Sequence, residues 1–82
     1  MPNNEAIVYG RSDCTDTAQA RETLESRDVP YRWVDLDVHP ELRAEAVAVN
    51  GGSTKVPTVV LPGGTVFVEP TAEQIIEALS QA

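Results

Sequence analysis

The first 36 residues alternate between two short strand-like runs and one helix-forming stretch, and this pattern restricts the fold more than any other feature. Residues 6–9 are apolar and partly β-branched, which is typical of a buried strand. Residues 13–27 are good helix formers that end at Asp28-Val29-Pro30, and residues 31–36 combine β-branched and aromatic side chains. A strand, helix and strand of this length predict a βαβ unit, whose crossover is right-handed in about 98% of cases.

The middle of the chain predicts a short helix followed by a hairpin. Pro40 opens the helix at its first position, and residues 50–52, Asn-Gly-Gly, end it. Its apolar face is formed by Leu42, Ala46 and Val49. Residues 58–61 and 65–68 flank a Pro-Gly-Gly turn, and so brief a connection requires antiparallel strands.

The last helix completes the predicted architecture. Thr71 and Gln74 have the spacing of a capping box. The buried face of this helix is formed by Ile75, Ile76 and Leu79. We therefore predict an α/β fold with the order βαβαββα, in which helices flank a mixed four-stranded sheet and residues 1–82 form one domain.

The composition is that of an acidic chain with a single cysteine. Thirteen acidic and six basic residues give a net charge of −7, which repels phosphate backbones and anionic membrane surfaces. One cysteine cannot form an internal disulfide, and the longest apolar runs are too short for a membrane span. We therefore expect a cytoplasmic monomer that binds neither nucleic acid nor membrane.

The single cysteine, Cys14, follows the first predicted strand and stands at the start of the first predicted helix. If Asp13 caps that helix, Cys14 is its first residue, where backbone N–H groups favour a thiolate. Thr17 lies three positions on, where a dithiol redox site has its resolving thiol. A threonine hydroxyl can only hydrogen-bond the sulfur. Any thiol chemistry here is therefore monothiol: Cys14 attacks a mixed disulfide and is then released by a second small thiol.

The charges beside Cys14 act in opposite directions. Arg11 and the helix start favour the thiolate, whereas Asp13 and Asp16 disfavour it if their carboxylates point inward. Each effect is worth about 0.5–1 kcal/mol, so the sequence leaves the sign of the balance open. A buried, unreactive Cys14 is the alternative interpretation of a lone cysteine, although the polar neighbours of Cys14 favour exposure.

Several motifs together make the chain resemble the glutaredoxins, and within them the actinobacterial mycoredoxin-like branch. These motifs are a strand ending in Tyr9, Cys14 at a helix start, Val-Asp-Leu-Asp at 34–37, Val-Asn-Gly-Gly at 49–52, Val-Pro-Thr-Val at 56–59, and Pro70-Thr71. The resemblance implies a thioredoxin-like fold and thiol-disulfide oxidoreductase activity toward mixed disulfides. The active-site sequence departs from the family, because Cys-Thr-Asp-Thr stands where members carry Cys-Pro-Tyr-Cys, Cys-Gly-Tyr-Cys or Cys-Gly-Phe-Ser.

The resemblance also implies a site for a small thiol around Cys14. Arg11 takes the place of a lysine that faces the carboxylate of the thiol in many members. Pro57 corresponds to a cis-proline, and we expect Val56 to offer backbone hydrogen bonds to the substrate. Thr71 is a candidate for binding a carboxylate through free backbone N–H groups, although helix capping also explains its presence. The predicted thiol-binding set is Arg11, Thr17, Val56, Pro57 and Thr71.

The resemblance leaves the small thiol and the cofactor open. Glutathione-binding members carry Gly-Gly and two acidic residues where this chain has residues 67–71, so mycothiol is an equally good expectation as the co-substrate. We expect no tightly bound cofactor, since one chain lacks the ligands for a closed metal site. Monothiol members can hold a [2Fe–2S] cluster between two subunits. The alternative function is therefore a redox-inactive module that binds a protein partner or such a cluster, with arsenate reduction a distant third.

Overall fold

The computed structural model describes residues 5–81, and their element order is the predicted βαβαββα with one additional 3₁₀ turn. The elements are β1 Ala6–Gly10, α1 Thr15–Ser26, β2 Tyr31–Asp35, the 3₁₀ turn Pro40–Leu42, α2 Arg43–Val49, β3 Thr58–Val60, β4 Val66–Val68 and α3 Ala72–Ser80. The strands and helices therefore follow the local sequence pattern closely, and the differences lie at the ends of the helices and, by one residue, at the ends of the strands.

The four strands form one mixed sheet in the order β2-β1-β3-β4. Strand β1 pairs in parallel with β2, with Tyr9 opposite Val34, as the βαβ pattern predicts. It pairs antiparallel with β3, with Tyr9 opposite Thr58, and the β3-β4 hairpin is antiparallel as well. Because β1 is central, its last residue, Gly10, lies at the end of the sheet where β2 ends and β3 begins.

Apolar side chains cover both faces of the sheet, because neighbouring residues of a strand point to opposite sides. Helices α1 and α3 pack on one face, where the buried cluster is Ala6, Val8, Ala20, Leu24, Val59, Leu61 and Ile75. Helix α2 covers the other face, where the buried cluster is Tyr9, Val34, Leu36, Ala46 and Val60. Burying a large aliphatic side chain contributes about 1.5–3 kcal/mol, so these two clusters hold the helices on the sheet.

Helix α3 begins with the predicted capping box. The Gln74 N–H donates to Thr71 Oγ1 at 3.1 Å, and the Thr71 N–H donates to Gln74 Oε1 at 2.8 Å. Ile75 is fully buried, whereas Ile76 and Leu79 are only partly buried. The predicted inner face is therefore correct in its centre and more exposed at its edges.

The start of α1 differs from the prediction, because Cys14 and not Asp13 is the N-cap residue. Cys14 has the extended backbone of an N-cap, and α1 begins one residue later than expected, at Thr15. The reason is a tight turn in which the Cys14 N–H donates to the Arg11 carbonyl at 3.2 Å, which places Asp13 inside the turn. The Asp13 carboxylate pairs with Arg11 Nε at 3.3 Å instead of capping the helix.

Helix α2 also begins later than predicted, since the residues after His39 form the 3₁₀ turn first. Ala46 is buried as expected, but Val49 is 38% exposed because it stands at the last position of the helix. A side-chain hydrogen bond ties this short helix to the sheet: the Tyr9 hydroxyl donates to Glu45 Oε2 at 2.5 Å. Burial and this carboxylate raise the pKa of Tyr9 to about 12.

Candidate active site

Cys14 lies between the turn that follows β1 and the first turn of α1. Its carbonyl accepts the first hydrogen bond of the helix, from the Ala18 N–H at 3.0 Å. Cys14 is half-buried, and the backbone N–H groups of Thr17 and Asp16 lower the pKa of its thiol. Backbone N–H groups at a helix start carry partial positive charge, so this position favours an anion.

Hydrogen bonding lowers the pKa of the Cys14 thiol below its usual value. The Thr17 hydroxyl makes the largest contribution, and the Thr17 backbone N–H makes the next. Burial opposes them, the Asp16 N–H lowers the pKa further, and the Asp16 carboxylate raises it. The donors outweigh burial and charge repulsion, so the balance that the sequence left open favours the thiolate.

The Thr17 side chain packs directly against Gly10, in space that a side chain at Gly10 would occupy. Thr17 is 1% exposed, and its hydroxyl oxygen makes no hydrogen bond of standard geometry within residues 5–81. A Cβ at Gly10 would come within 3.0 Å of three Thr17 side-chain atoms. The hydroxyl proton is therefore not committed to another acceptor, and it is available to the Cys14 sulfur when that sulfur is an anion.

The predicted cis-proline is present: the peptide bond between Val56 and Pro57 is cis, and Pro57 is buried. The Pro57 carbonyl accepts from the Glu69 N–H at 2.8 Å. The preceding loop is fixed by Asn50, whose amide donates to Thr58 Oγ1 at 2.8 Å. Because Thr58 lies opposite Tyr9, these bonds place Val56 at the same end of the sheet as the Cys14 turn.

A cleft of about 310 Å³ lies beside this turn and the Val56 loop. It is lined by Arg11, Leu36, Arg43, Ala46, Val47, Ser53, Thr54, Lys55 and Val56. Three of the six basic residues of the chain are among them, although the chain as a whole carries a net charge of −7. The basic residues are therefore concentrated where the sequence predicts a bound thiol.

Carboxylates of the chain partly neutralise these cations. Arg11 Nε lies 3.3 Å from Asp13 Oδ1 and 3.8 Å from Asp37 Oδ2, and Arg43 Nη2 lies 3.6 Å from Asp37 Oδ1. Lys55 forms no ion pair within the described part of the chain. Of the three cations of the cleft, Lys55 is thus the one that can bind an anionic ligand without first breaking an ion pair.

All five predicted thiol-binding residues belong to segments at the Cys14 end of the sheet, since Thr71 follows β4, whose Val68 lies opposite Thr58. Only two of the five, Arg11 and Val56, line the cleft. Thr17 contacts the sulfur, and Pro57 follows Val56. Thr71 does not line it, and its own N–H and hydroxyl are engaged by Gln74 in the capping box. A carboxylate at this helix start would have to use the N–H groups of the next residues.

Sequence reasoning missed Arg43, Lys55 and Gly10 as parts of this site. Lys55 directly precedes the Val56-Pro57 pair, and Arg43 lies three residues before the buried Ala46 on the same helix. Both positions could have been assigned to the site from the sequence, because α2 was predicted to pack over the sheet. The role of Gly10 had no local signal, since it depends on where the Thr17 side chain packs.

Two further findings on the described residues concern metal ligands and membrane-spanning helices. Within residues 5–81, no group of three or more His, Cys, Asp or Glu side chains is arranged to hold a metal ion. Among the described helices, none has both the length and the apolar content to cross a membrane.

Comparisons with known proteins agree with this geometry. The family model for glutaredoxin matches residues 6–67. A Mycobacterium tuberculosis protein assigned to the glutaredoxins is 32% identical over 69 residues, which cover 83% of this chain and 81% of that protein, and the figures are the same in strains H37Rv and CDC 1551.

Solved structures share the fold at lower sequence identity. The crystal structure of glutaredoxin Grx-1 from Archaeoglobus fulgidus has a TM-score of 0.79 at 21% identity, covering 94% of this chain and 86% of that one. The glutaredoxin-like protein NrdH-redoxin from Escherichia coli has a TM-score of 0.70 at 22% identity, covering 89% of this chain and 92% of that one. Because the glutaredoxin model matches residues 6–67 and a relative assigned to the same family is 32% identical over most of both chains, the chain belongs to the glutaredoxin family of redox proteins.

Proposed function

We propose that the chain is a monothiol thiol-disulfide oxidoreductase that acts on mixed disulfides between a protein and a small thiol, either glutathione or mycothiol. One arrangement carries the proposal: Cys14 is half-buried at the start of α1, where donors of Thr17 lower the pKa of its thiol, and Arg11 of the same turn lines a cationic cleft. A thiolate is the nucleophile in disulfide exchange, and a partly exposed sulfur can reach and attack a bound disulfide.

The reaction has two exchange steps. The Cys14 thiolate attacks the small-thiol sulfur of the mixed disulfide, the protein sulfur leaves as a thiolate, and Cys14 becomes S-thiolated. A second molecule of the small thiol, as its thiolate, then attacks the small-thiol sulfur bound to Cys14. This step releases the Cys14 thiolate and a disulfide of two small thiols. Thr17 cannot replace the second molecule, because a hydroxyl cannot form a disulfide.

The surrounding residues would hold the small thiol during both steps. We assign its carboxylate or polar end to Arg11, with Arg43 and Lys55 as added contributors, because these cations line the cleft. The backbone of Val56, next to Pro57, would pair with the backbone of the thiol. Thr71 stays a weaker candidate because the capping box already engages its polar groups.

The test is turnover of two peptide substrates, one S-glutathionylated and one S-mycothiolated, each with its matching free thiol as the reductant. We expect release of the peptide thiol from at least one of them to be faster than with the free thiol alone, and Cys14→Ser to give only this uncatalysed rate. The substrate that turns over faster identifies the preferred thiol. Absence of turnover with both substrates would contradict the proposal.

The cytoplasmic monomer expected from composition belongs to this proposal, and so does the use of the small thiol as co-substrate without a tightly bound cofactor. A [2Fe–2S] cluster shared by two chains would need Cys14 from each and would bring the Asp16 carboxylates near an anionic centre. We therefore favour the oxidoreductase over a cluster-binding protein and over a redox-inactive module. Anaerobic reconstitution with iron and sulfide, followed by visible absorbance and sedimentation, tests the cluster directly.

A further inference from the structure

One carboxylate bridges the two arginines of the cleft. Asp37 Oδ2 lies 3.8 Å from Arg11 Nε, and Asp37 Oδ1 lies 3.6 Å from Arg43 Nη2. The two oxygens thus face different arginines, one from the Cys14 turn and one from α2. This is the geometry in which the carboxylate of a ligand would bridge the same pair.

The backbone of Asp37 is fixed without help from the arginines. The Asp35 carboxylate oxygen Oδ1 accepts from the Asp37 N–H at 3.0 Å and from the Val38 N–H at 3.3 Å. The His39 N–H donates to the Asp35 carbonyl at 2.8 Å. The turn after β2 therefore holds Asp37 in place, and replacing the Asp37 side chain leaves these bonds intact.

The carboxylate of a ligand can displace Asp37 from its two arginines, because the ion pairs are exposed. The side chain of Asp37 is 47% exposed, and those of Arg11 and Arg43 are 49% and 60% exposed. Exposed ion pairs are weak because water screens them. An incoming carboxylate therefore competes with Asp37 for the arginines, and it also meets repulsion from Asp37 itself.

We propose that Asp37 is a specificity-determining residue that limits how much negative charge the cleft accepts from a small thiol. It occupies Arg11 and Arg43 together, which leaves Lys55 as the cation of the cleft that forms no ion pair with the described residues. The preferred small thiol then carries little or no net negative charge. This inference rests on the proposed function, since it concerns the ligand that the cleft offers to Cys14.

The experiment compares how fast Cys14 reacts with disulfide probes of different charge. The probes are dithiobis(nitrobenzoate), a dianion, dithiodipyridine, which is neutral, and cystamine, a dication. In each reaction the Cys14 thiolate attacks one probe sulfur, a mixed disulfide forms, and the other half of the probe leaves as a thiol or thiolate. The rate ratio between the dianion and the neutral probe cancels any change in the thiolate fraction of Cys14.

In Asp37→Asn we expect the dianion-to-neutral ratio to rise about two- to fivefold, the range expected for exposed charges, and the cystamine-to-neutral ratio to fall. Asp37→Glu keeps a carboxylate and should return both ratios toward the wild-type values. Glu22→Gln removes the same charge from the exposed face of α1 and should leave the ratios unchanged. Far-UV circular dichroism checks that each variant is folded.

Equal ratios in wild type and Asp37→Asn would overturn the inference, and so would an equal rise in Glu22→Gln, which would indicate a net-charge effect. The probe reactions are stoichiometric and need only an accessible thiolate. They therefore test Asp37 even if the peptide substrates show no turnover, whereas turnover with unchanged probe ratios would refute the role of Asp37 alone.

Discussion

Helices α1 and α3 begin in opposite ways, although both start beside the sheet with an N-cap in extended conformation. Thr71 closes the start of α3 with a full capping box, in which side chains satisfy two backbone N–H groups. Cys14 stands at the same position of α1 and makes no side-chain cap hydrogen bond of standard geometry. In α3 the backbone donors contribute to stability, whereas in α1 they lower the pKa of a thiol.

The comparison shows that one local motif can serve either stability or reactivity, depending on the atom at the N-cap. A hydroxyl oxygen accepts from the backbone in every protonation state, but sulfur is a good acceptor only as a thiolate. The four variants that follow exchange or remove the features that separate the two helix starts.

Cys14→Ser should have the largest effect, because it gives α1 the same kind of cap as α3. We expect thiol-disulfide exchange to fall to background, since the nucleophile is gone. At a pH below the folded-state pKa of Cys14, where the sulfur is protonated, serine should raise the free energy of unfolding by about 0.5–1 kcal/mol, the usual gain from a capping hydroxyl. Urea unfolding of both proteins measures this difference.

The difference in stability between Cys14→Ser and wild type should shrink as the pH rises. The folded-state pKa of Cys14 is lowered, so the thiolate adds stability that is fully present above the unfolded thiol pKa and is lost as the pH falls through the folded value. Repeating the urea titrations across that pH range tests the sign. A gap that widened with pH would contradict a stabilised thiolate.

Gly10→Ala should disturb the Cys14 site through Thr17. The added Cβ would meet the buried Thr17 side chain, and overpacking of this kind costs about 1–3 kcal/mol of unfolding free energy. Displacing the Thr17 hydroxyl should also raise the pKa of Cys14, because that hydroxyl lowers it in the wild type. Thermal unfolding and the pH dependence of alkylation by iodoacetamide measure both effects, and a stable variant with an unchanged alkylation profile would show that Thr17 does not need this space.

Thr71→Ala should remove the cap of α3 and cost about 0.5–2 kcal/mol of unfolding free energy. The Gln74 N–H loses its acceptor, and the box can no longer form. Thr71→Ser, which keeps the hydroxyl, is the matched control and should unfold like wild type. If alanine and serine were equally destabilising, the methyl group and not the cap would be the cause.

Thr17→Val should have the smallest effect on stability while still changing the thiol. Valine keeps the shape but removes a buried hydroxyl that has no standard partner within residues 5–81, so the free energy of unfolding should change by about 1 kcal/mol or less. The pKa of Cys14 should rise, because the largest stabilising contact is lost. Iodoacetamide alkylation against pH measures the shift, and Thr23→Val, on the same helix, is the control.

The sequence predicted those parts of the fold that depend on local patterns. Strand periodicity, the Pro-Gly-Gly turn and the Thr71 capping box are each contained in a few neighbouring residues. The cap of α1 was predicted wrongly because Asp13 is a good capping residue in isolation, and the Arg11 turn that removes it from that position is a tertiary feature.

The positions of the cysteine and of the cis-proline were predictable from the sequence, whereas the residues around them were less so. Cys14 and the Val56-Pro57 pair stand out in the sequence, and both lie at the same end of the sheet. The direction of the thiol pKa depends on where the Thr17 hydroxyl points, which no spacing rule gives. The cleft gathers Arg43 and Lys55 from separate segments, so their proximity follows from the packing of α2.

The concentration of basic residues in the cleft has a consequence for diffusion. At physiological salt the Debye length is about 8 Å, which is shorter than the 18 Å thickness of the molecule. An approaching anion then senses mainly the charges nearest to it, which in the cleft are three cations partly neutralised by Asp13 and Asp37. At low salt the same anion senses the net charge of −7 from farther away and is repelled. Ionic strength therefore decides whether the molecule attracts or repels an anionic partner before any contact is made.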